Sequence, residues 1–201
     1  MSDQQLSEQE SLDIIRQMID KAKNQFSENG HLYLLWGWVI FICCIGQYIL
    51  INYFHSDKNG LIWLLTWVAL AYQTYYLRKS GKHRKVKTYT DEVVGYVWIA
   101  FIASFLLCSF SLVFITNGDL SLYSKLMGPV FLALYGVPTF LSGIILRFSP
   151  LKWGGLVCWT LSLIACFTPY QFQLLLLALA VVIAWIIPGY LLRGHFKSKN
   201  L

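Results

Sequence analysis

The chain has 201 residues, of which 57% are hydrophobic and only 13% charged. Ordinary soluble domains carry roughly 25% charged residues, so a water-soluble fold of this size could not cover its surface. With 16% aromatics, including 8 Trp and 12 Tyr, the composition suits an all-α bundle in a bilayer, with rings at both headgroup levels.

The first 30 residues are polar and patterned. Ser7 and Glu10 have the spacing of a capping box. Leu12, Ile15, Ile19, Ala22 and Phe26 then recur at intervals of three and four, the stripe of an amphipathic helix. Ile14 and Met18 widen that stripe, while Asp13, Arg16, Asp20 and Lys23 fall on the other side. Ser27-Glu28-Asn29-Gly30 supplies a stop, with Asn29 or Gly30 suited to a left-handed cap. Three roles stay open for this segment. It could lie on the membrane, although surface-bound helices are usually basic and acids outnumber bases here. It could pack on the cytoplasmic loops of its own chain. Or it could pair with another copy or with a soluble protein partner through the stripe.

Six apolar stretches follow: Leu32 to Phe54, Leu61 to Leu77, Val93 to Ile115, Leu126 to Leu146, Trp153 to Phe167 and Leu174 to Leu192. The bilayer core, about 30 Å thick, needs about 20 apolar residues per helix, so the fifth stretch is the shortest fit. The first begins after the polar segment and is too long for a signal-peptide core, so it reads as a true span. The chain thus divides into a cytoplasmic helix and linker (1–30), a six-span transmembrane bundle (31–193) and a basic cytoplasmic tail (194–201).

Charge sets the orientation. Of the 16 Lys and Arg residues, all but Lys58 and Lys125 fall on the side that holds both termini. The positive-inside rule puts that side in the cytoplasm, and an even span count agrees with it. The densest run is Arg78, Lys79, Lys82, Arg84, Lys85 and Lys87. Beside a span, such a run attracts anionic lipid headgroups at about 1 kcal/mol per charge. With no base-reading scaffold around it, nucleic acid is not an expected partner.

The span interiors lack the groups that carry chemistry. All ten acidic residues lie outside the apolar cores, and His31, His55, His83 and His195 lie at span ends, in loops or in the tail. Metal-dependent and acid–base catalysis at depth, and proton-coupled transport, lose their usual residues. No cofactor is expected. The five cysteines sit in apolar stretches and read as small hydrophobes. Gln47, Gln73 and Thr139 are the candidate polar contacts of the bundle, because a buried amide is costly unless hydrogen-bonded. Gln47 falls in the outer half of span one and Gln73 in the inner half of span two, so they are not expected to meet.

Small residues four apart mark close helix crossings. They occur in span five (Gly154, Cys158, Ser162, Cys166), span three (Ala100, Ser104, Cys108) and span six (Ala180, Ala184, Pro188). These three spans are therefore expected to form the tight part of the bundle, with Pro138 and Pro188 kinking spans four and six. Spans two, four and six close alike on an Arg (Arg78, Arg147, Arg193), and spans one, three and five open near a Trp (Trp36, Trp98, Trp153). A threefold hairpin repeat would explain this, and so would the ordinary chemistry of the two interfaces.

The run Ser11-Leu12-Asp13-Ile14-Ile15-Arg16-Gln17-Met18-Ile19, then Phe26, then Tyr33-Leu34-Leu35-Trp36-Gly37-Trp38 resembles the start of a group of small, uncharacterised six-span bacterial inner-membrane proteins. The resemblance is clearest over residues 11–40. It implies a place in the inner membrane and carries no activity with it. Three functions are expected, in order: a non-enzymatic interaction or accessory protein working through its amino-terminal helix, a small transporter or channel for a neutral or apolar solute, and a membrane-embedded enzyme.

Overall fold

A computed structural model describes residues 30–54, 59–83 and 89–199. Every regular element among them is helical. In chain order they are α1 (His31–Asn52), a 3-10 turn (Asn59–Trp63) running into α2 (Leu64–His83), α3 (Tyr89–Ile115), α4 (Leu120–Ile145), α5 (Ser149–Ala165), α6 (Tyr170–Val181), a π turn (Val182–Ile186) and α7 (Ile187–Lys199). The last three follow one another without a break and act as one rod. The amino-terminal stripe of Leu12, Ile15, Ile19, Ala22 and Phe26 lies outside the described residues, as do Arg84, Lys85 and Lys87.

Four of these helices are long and apolar enough to cross a membrane, over His31–Asn52, Glu92–Ile115, Leu120–Ile145 and Tyr170–Gly194. Their exposed faces carry Ile99, Leu106, Leu107, Phe110 and Phe114, among others. Water would not tolerate a surface of that extent, so the chain is membrane-embedded. α5 has only 17 residues, and α2 ends in the charged stretch from Arg78 onward. Neither reaches that standard by itself.

Tight turns make neighbours of successive helices. Between α3 and α4, Asn117 (φ 48°) and Gly118 (φ 79°) are left-handed. Asp119 then caps α4, accepting the N–H groups of Ser121 at 2.8 Å and Leu122 at 3.2 Å. Between α4 and α5, Arg147 is left-handed too (φ 50°). The Phe148 N–H returns to the Gly143 carbonyl at 2.9 Å, closing a Schellman-type end in which Arg stands where Gly is usual.

The best-packed part consists of α1, α4, α5 and the α6–α7 rod, with the most extensive contact between α4 and α5. Glycines decide where backbones touch. A side chain on Gly155 would run into the Phe140 backbone and the Gly136 carbonyl, and one on Gly136 would strike the Trp159 ring. Gly154 of α5 and Gly37 of α1 seat Ala184 and Ile186, so two glycines face the π turn from different helices. At the start of α1, Gly30 (φ 67°) meets the backbone of Gly189.

Besides Pro150 in the first turn of α5, three prolines lie along the helical rods, Pro129 and Pro138 in α4 and Pro188 in α7. Pro188 removes the N–H that would bond the Ala184 carbonyl, and its ring crowds that carbonyl. The π turn ends two residues before it, with the Ile187 N–H reaching back to Val182, and this wider turn relieves the crowding. Pro138 is fully buried in α4. Pro129, also within α4, leaves the Lys125 carbonyl without its helical donor.

α3 departs from the expected arrangement. Only 6% of its apolar window is buried, against 56% for the α6–α7 rod. Ala100 and Ser104 are exposed and Cys108 is half-buried. α3 packs chiefly on α4, through Phe101 and Phe105 rather than through its small residues, while Trp98 reaches Tyr33 of α1 and Trp185 of the π turn. The row on α5 does pack. Gly154, Cys158 and Ser162 are buried, and Cys166 at its end is exposed.

Candidate functional site

Two ends and a middle of the bundle hold its polar groups. One end carries Arg78, Lys79, Arg147 and Arg193, all exposed. Arg78 and Lys79 are the described members of the basic run. Lys82 stands in the last turn of α2, its side chain outside the described part. Beside them, His31 Nε2 lies 3.2 Å from the Tyr72 hydroxyl, and its ring sits 4.6 Å from that of Tyr76. This end combines cationic side chains with aromatic ones, a surface suited to lipid headgroups.

Both glutamines singled out in the sequence bond an indole across the α1/α2 hairpin. Trp36 on α1 donates through Nε1 to Gln73 on α2 at 2.6 Å. Toward the other end the roles reverse, and Trp63 donates to Gln47 on α1 at 2.7 Å. Gln47 also donates to the Asn59 side-chain oxygen at 2.9 Å. The two glutamines do not share a partner. Their antiparallel arrangement clamps the hairpin at both ends, and the Gln47 clamp fixes the 3-10 turn as well. Ile62 of that turn fills the space over Gly46.

Thr139 occupies the middle. It is fully buried, donates to the Tyr135 carbonyl at 2.8 Å and accepts the Trp185 indole N–H at 2.9 Å. Trp185 belongs to the π turn, so this bond anchors the one stretch where the rod is not α-helical. Around it the rings close together. Trp185 lies 5.0 Å from Tyr135 and 5.7 Å from Trp98, while Phe105 and Phe131 are 4.3 Å apart. The centre of the bundle is filled by aromatic side chains.

One polar residue escaped the sequence reading. Gln173 stands one residue before the point where the last span was expected to begin, and it is buried. Its Nε2 lies 3.1 Å from each of three carbonyls, those of Lys125, Ala165 and Thr168. The signal was available in the sequence. Pro129 must leave the carbonyl four residues earlier without its usual donor, and a nearby amide is the economical replacement. Ser162 performs a similar task, donating to the Pro129 carbonyl at 2.7 Å.

The interior chemistry is therefore that of amides, hydroxyls and indoles, many of them bonded to one another or to backbone carbonyls. No group of three or more His, Cys, Asp or Glu residues placed to hold a metal occurs among the described residues. Cys43, Cys44 and Cys158 are buried free thiols. No protein-family model, no curated protein and no solved structure matches this chain, so its fold and polar groups are the ground on which function is read.

Proposed function

We propose that this chain is a six-span protein of the bacterial inner membrane, with both termini in the cytoplasm, which acts through protein interaction and not through catalysis. α2 with its 3-10 turn and α5 supply the two spans beyond the four long helices. Both carry outward apolar side chains, Trp67 and Val68 on one and Leu163 and Ile164 on the other. Helices this short span by local thinning of the bilayer, at a cost of fractions of a kcal/mol per Å of mismatch.

The observation that carries the functional reading is the filled centre. Trp98, Tyr135 and Trp185 occupy the middle of the bundle in ring contact, and Trp185 bonds Thr139 there. A transporter or channel for a neutral solute would need a route through this plug. The bundle instead suits a scaffold that holds an interaction element at the cytoplasmic face. That element is the amino-terminal stripe of Leu12, Ile15, Ile19, Ala22 and Phe26, which engages a soluble partner or a second copy of the chain. The basic end of the bundle holds anionic lipid.

Photo-crosslinking from Ile15 and Ile19 in cells tests the proposal. Links to another protein or to a second copy are expected, and recovery of intramolecular links alone would overturn it. Deletion of residues 1–29 should abolish partner capture while leaving the bundle folded. Cytoplasm-dependent reporters fused at residue 1 and at residue 201 should both be active.

A further inference from the structure

Arg147 and Arg193 stand exposed at the basic end of the bundle. The described acid side chains are engaged elsewhere. Asp119 caps α4 at the opposite end, and Glu92 accepts the Tyr96 hydroxyl. Most of the remaining acids precede residue 30, namely Asp3, Glu8, Glu10, Asp13, Asp20 and Glu28.

The chain enters the bundle beside those arginines. Gly30 is buried and left-handed (φ 67°), and a side chain there would strike the Gly189 carbonyl and Leu192. Arg193 lies one helical turn beyond Gly189, on the same face of α7. α7 also contacts α5, and Arg147 comes just before α5 begins. Residues 27–29 can span about 10 Å at most, so the segment that precedes them is tethered close to Arg193.

That segment has a second row besides its apolar stripe. Glu10, Asp13, Gln17, Asp20 and Asn24 recur at intervals of three and four, in step with the stripe. On the helix that the periodicity predicts, this row lies opposite the stripe and holds no base. Arg16 and Lys23 fall beside the stripe, and Lys21 is the one base that adjoins the acidic row. From Glu10 to Asp20 the row is about 15 Å long. Packed helices stand about 8–10 Å apart, so the row can reach from the end of α7 to that of a neighbouring helix.

We propose that residues 7–27 dock on the basic end of their own bundle, with Glu10, Asp13 and Asp20 set against Arg193 and Arg147. This rests on the interaction reading and deepens it, because docking by the acidic row turns the apolar stripe away from the bundle, toward its partner. One exposed ion pair is weak, but several act together here, and the tether keeps them at high effective concentration. Anionic headgroups draw on the same cations, so lipid and segment compete for this end.

The test places a photo-crosslinking residue at Gln17, the uncharged centre of the row. The full chain is reconstituted in phosphatidylcholine vesicles, where no anionic headgroup competes. Chains of two isotopic masses are mixed, so that mass spectrometry separates links within a chain from links between chains. Links within one chain, to peptides that hold Arg147 or Arg193, are expected. Added salt should lower their yield several-fold, and so should Asp13→Lys combined with Asp20→Lys. Arg147→Glu with Arg193→Glu should restore the yield in that variant. Links from Gln17 only to lipid, only to another chain, or to nothing would overturn the proposal, and this measurement needs no charge variant to fold. A yield indifferent to salt and to charge reversal would sink it equally. Partner capture from Ile15 and Ile19 without links from Gln17 to the basic end would overturn the docking and leave the interaction reading standing. Links from Gln17 without partner capture would support the docking and overturn that reading.

Discussion

α3 and α5 carry the same pattern and meet different fates. Each has small residues at every fourth position: Ala100, Ser104 and Cys108 on one, Gly154, Cys158 and Ser162 on the other. On α5 that row is buried, and on α3 it faces outward or is only half-covered. The partner surfaces explain the difference. Gly154 of α5 seats Ala184 of the π turn, small residue against small residue, while Gly136 of α4 receives the Trp159 ring and Gly143 lets the α5 backbone at Leu151 and Lys152 come close. α3 meets α4 through rings, Phe105 on Phe131 and Phe101 on Tyr135, and bulky groups hold the two axes apart. Close approach in lipid requires small residues on both helices. A row on one helix shows only that the helix could take part.

Substitutions that enlarge each row should separate the two helices most sharply. Gly154→Leu forces atoms into the Ala184 backbone and is expected to destabilise by about 3 kcal/mol, or to prevent folding. Ser104→Leu, on an exposed face, should stay within about 0.5 kcal/mol. Unfolding of both in detergent or bicelles provides the measure. Equal losses would mean that α3 is buried against something further, such as a second copy.

The next contrast sets buried against exposed tryptophan. Trp185→Ala removes a ring from the centre of the bundle and leaves Thr139 without its donor, at an expected cost of about 3–5 kcal/mol. Trp67 is 69% exposed, and Trp67→Ala should change stability by less than about 0.5 kcal/mol. A small loss at Trp185 would argue that the centre opens readily, which would revive the solute-path alternative.

The smallest effects belong to the two clamps. Gln47→Leu and Gln73→Leu should each cost about 0.6–1.7 kcal/mol, the range for hydrogen bonds inside membrane bundles. Because the clamps share no partner, the double variant should equal the sum of the singles to within about 0.5 kcal/mol. Marked non-additivity would mean that the hairpin shifts as a unit when either clamp is lost.

Much of the polar chemistry could be read in advance because apolar surroundings make it conspicuous. Gln47, Gln73 and Thr139 stood out as amides and a hydroxyl amid aliphatic residues, and each forms a hydrogen bond between elements. Their partners were not legible. All three donors are tryptophans, which sequence reading assigns to the interfaces by default. Gln173 was missed for a related reason, since it sits at a helix start, where polar residues attract no notice. The π turn left only an indirect trace in Pro188, because the extra residue in that turn is set by what packs around it.

The sequence by itself determined the membrane environment and the helical class. These depend on composition and on local runs of apolar residues, which no packing arrangement can alter. It also pointed to the last span as one whose α-helix is interrupted, since a π turn lies ahead of Pro188, whereas α4 runs through Pro138 as one helix. Only the tertiary structure decided which small-residue row is buried, which indole meets which amide, and which helix remains at the edge. Those outcomes depend on pairs of surfaces far apart in the chain. The physical reason is that lipid already satisfies every apolar side chain, so the choice between neighbours falls to shape and to a few hydrogen bonds.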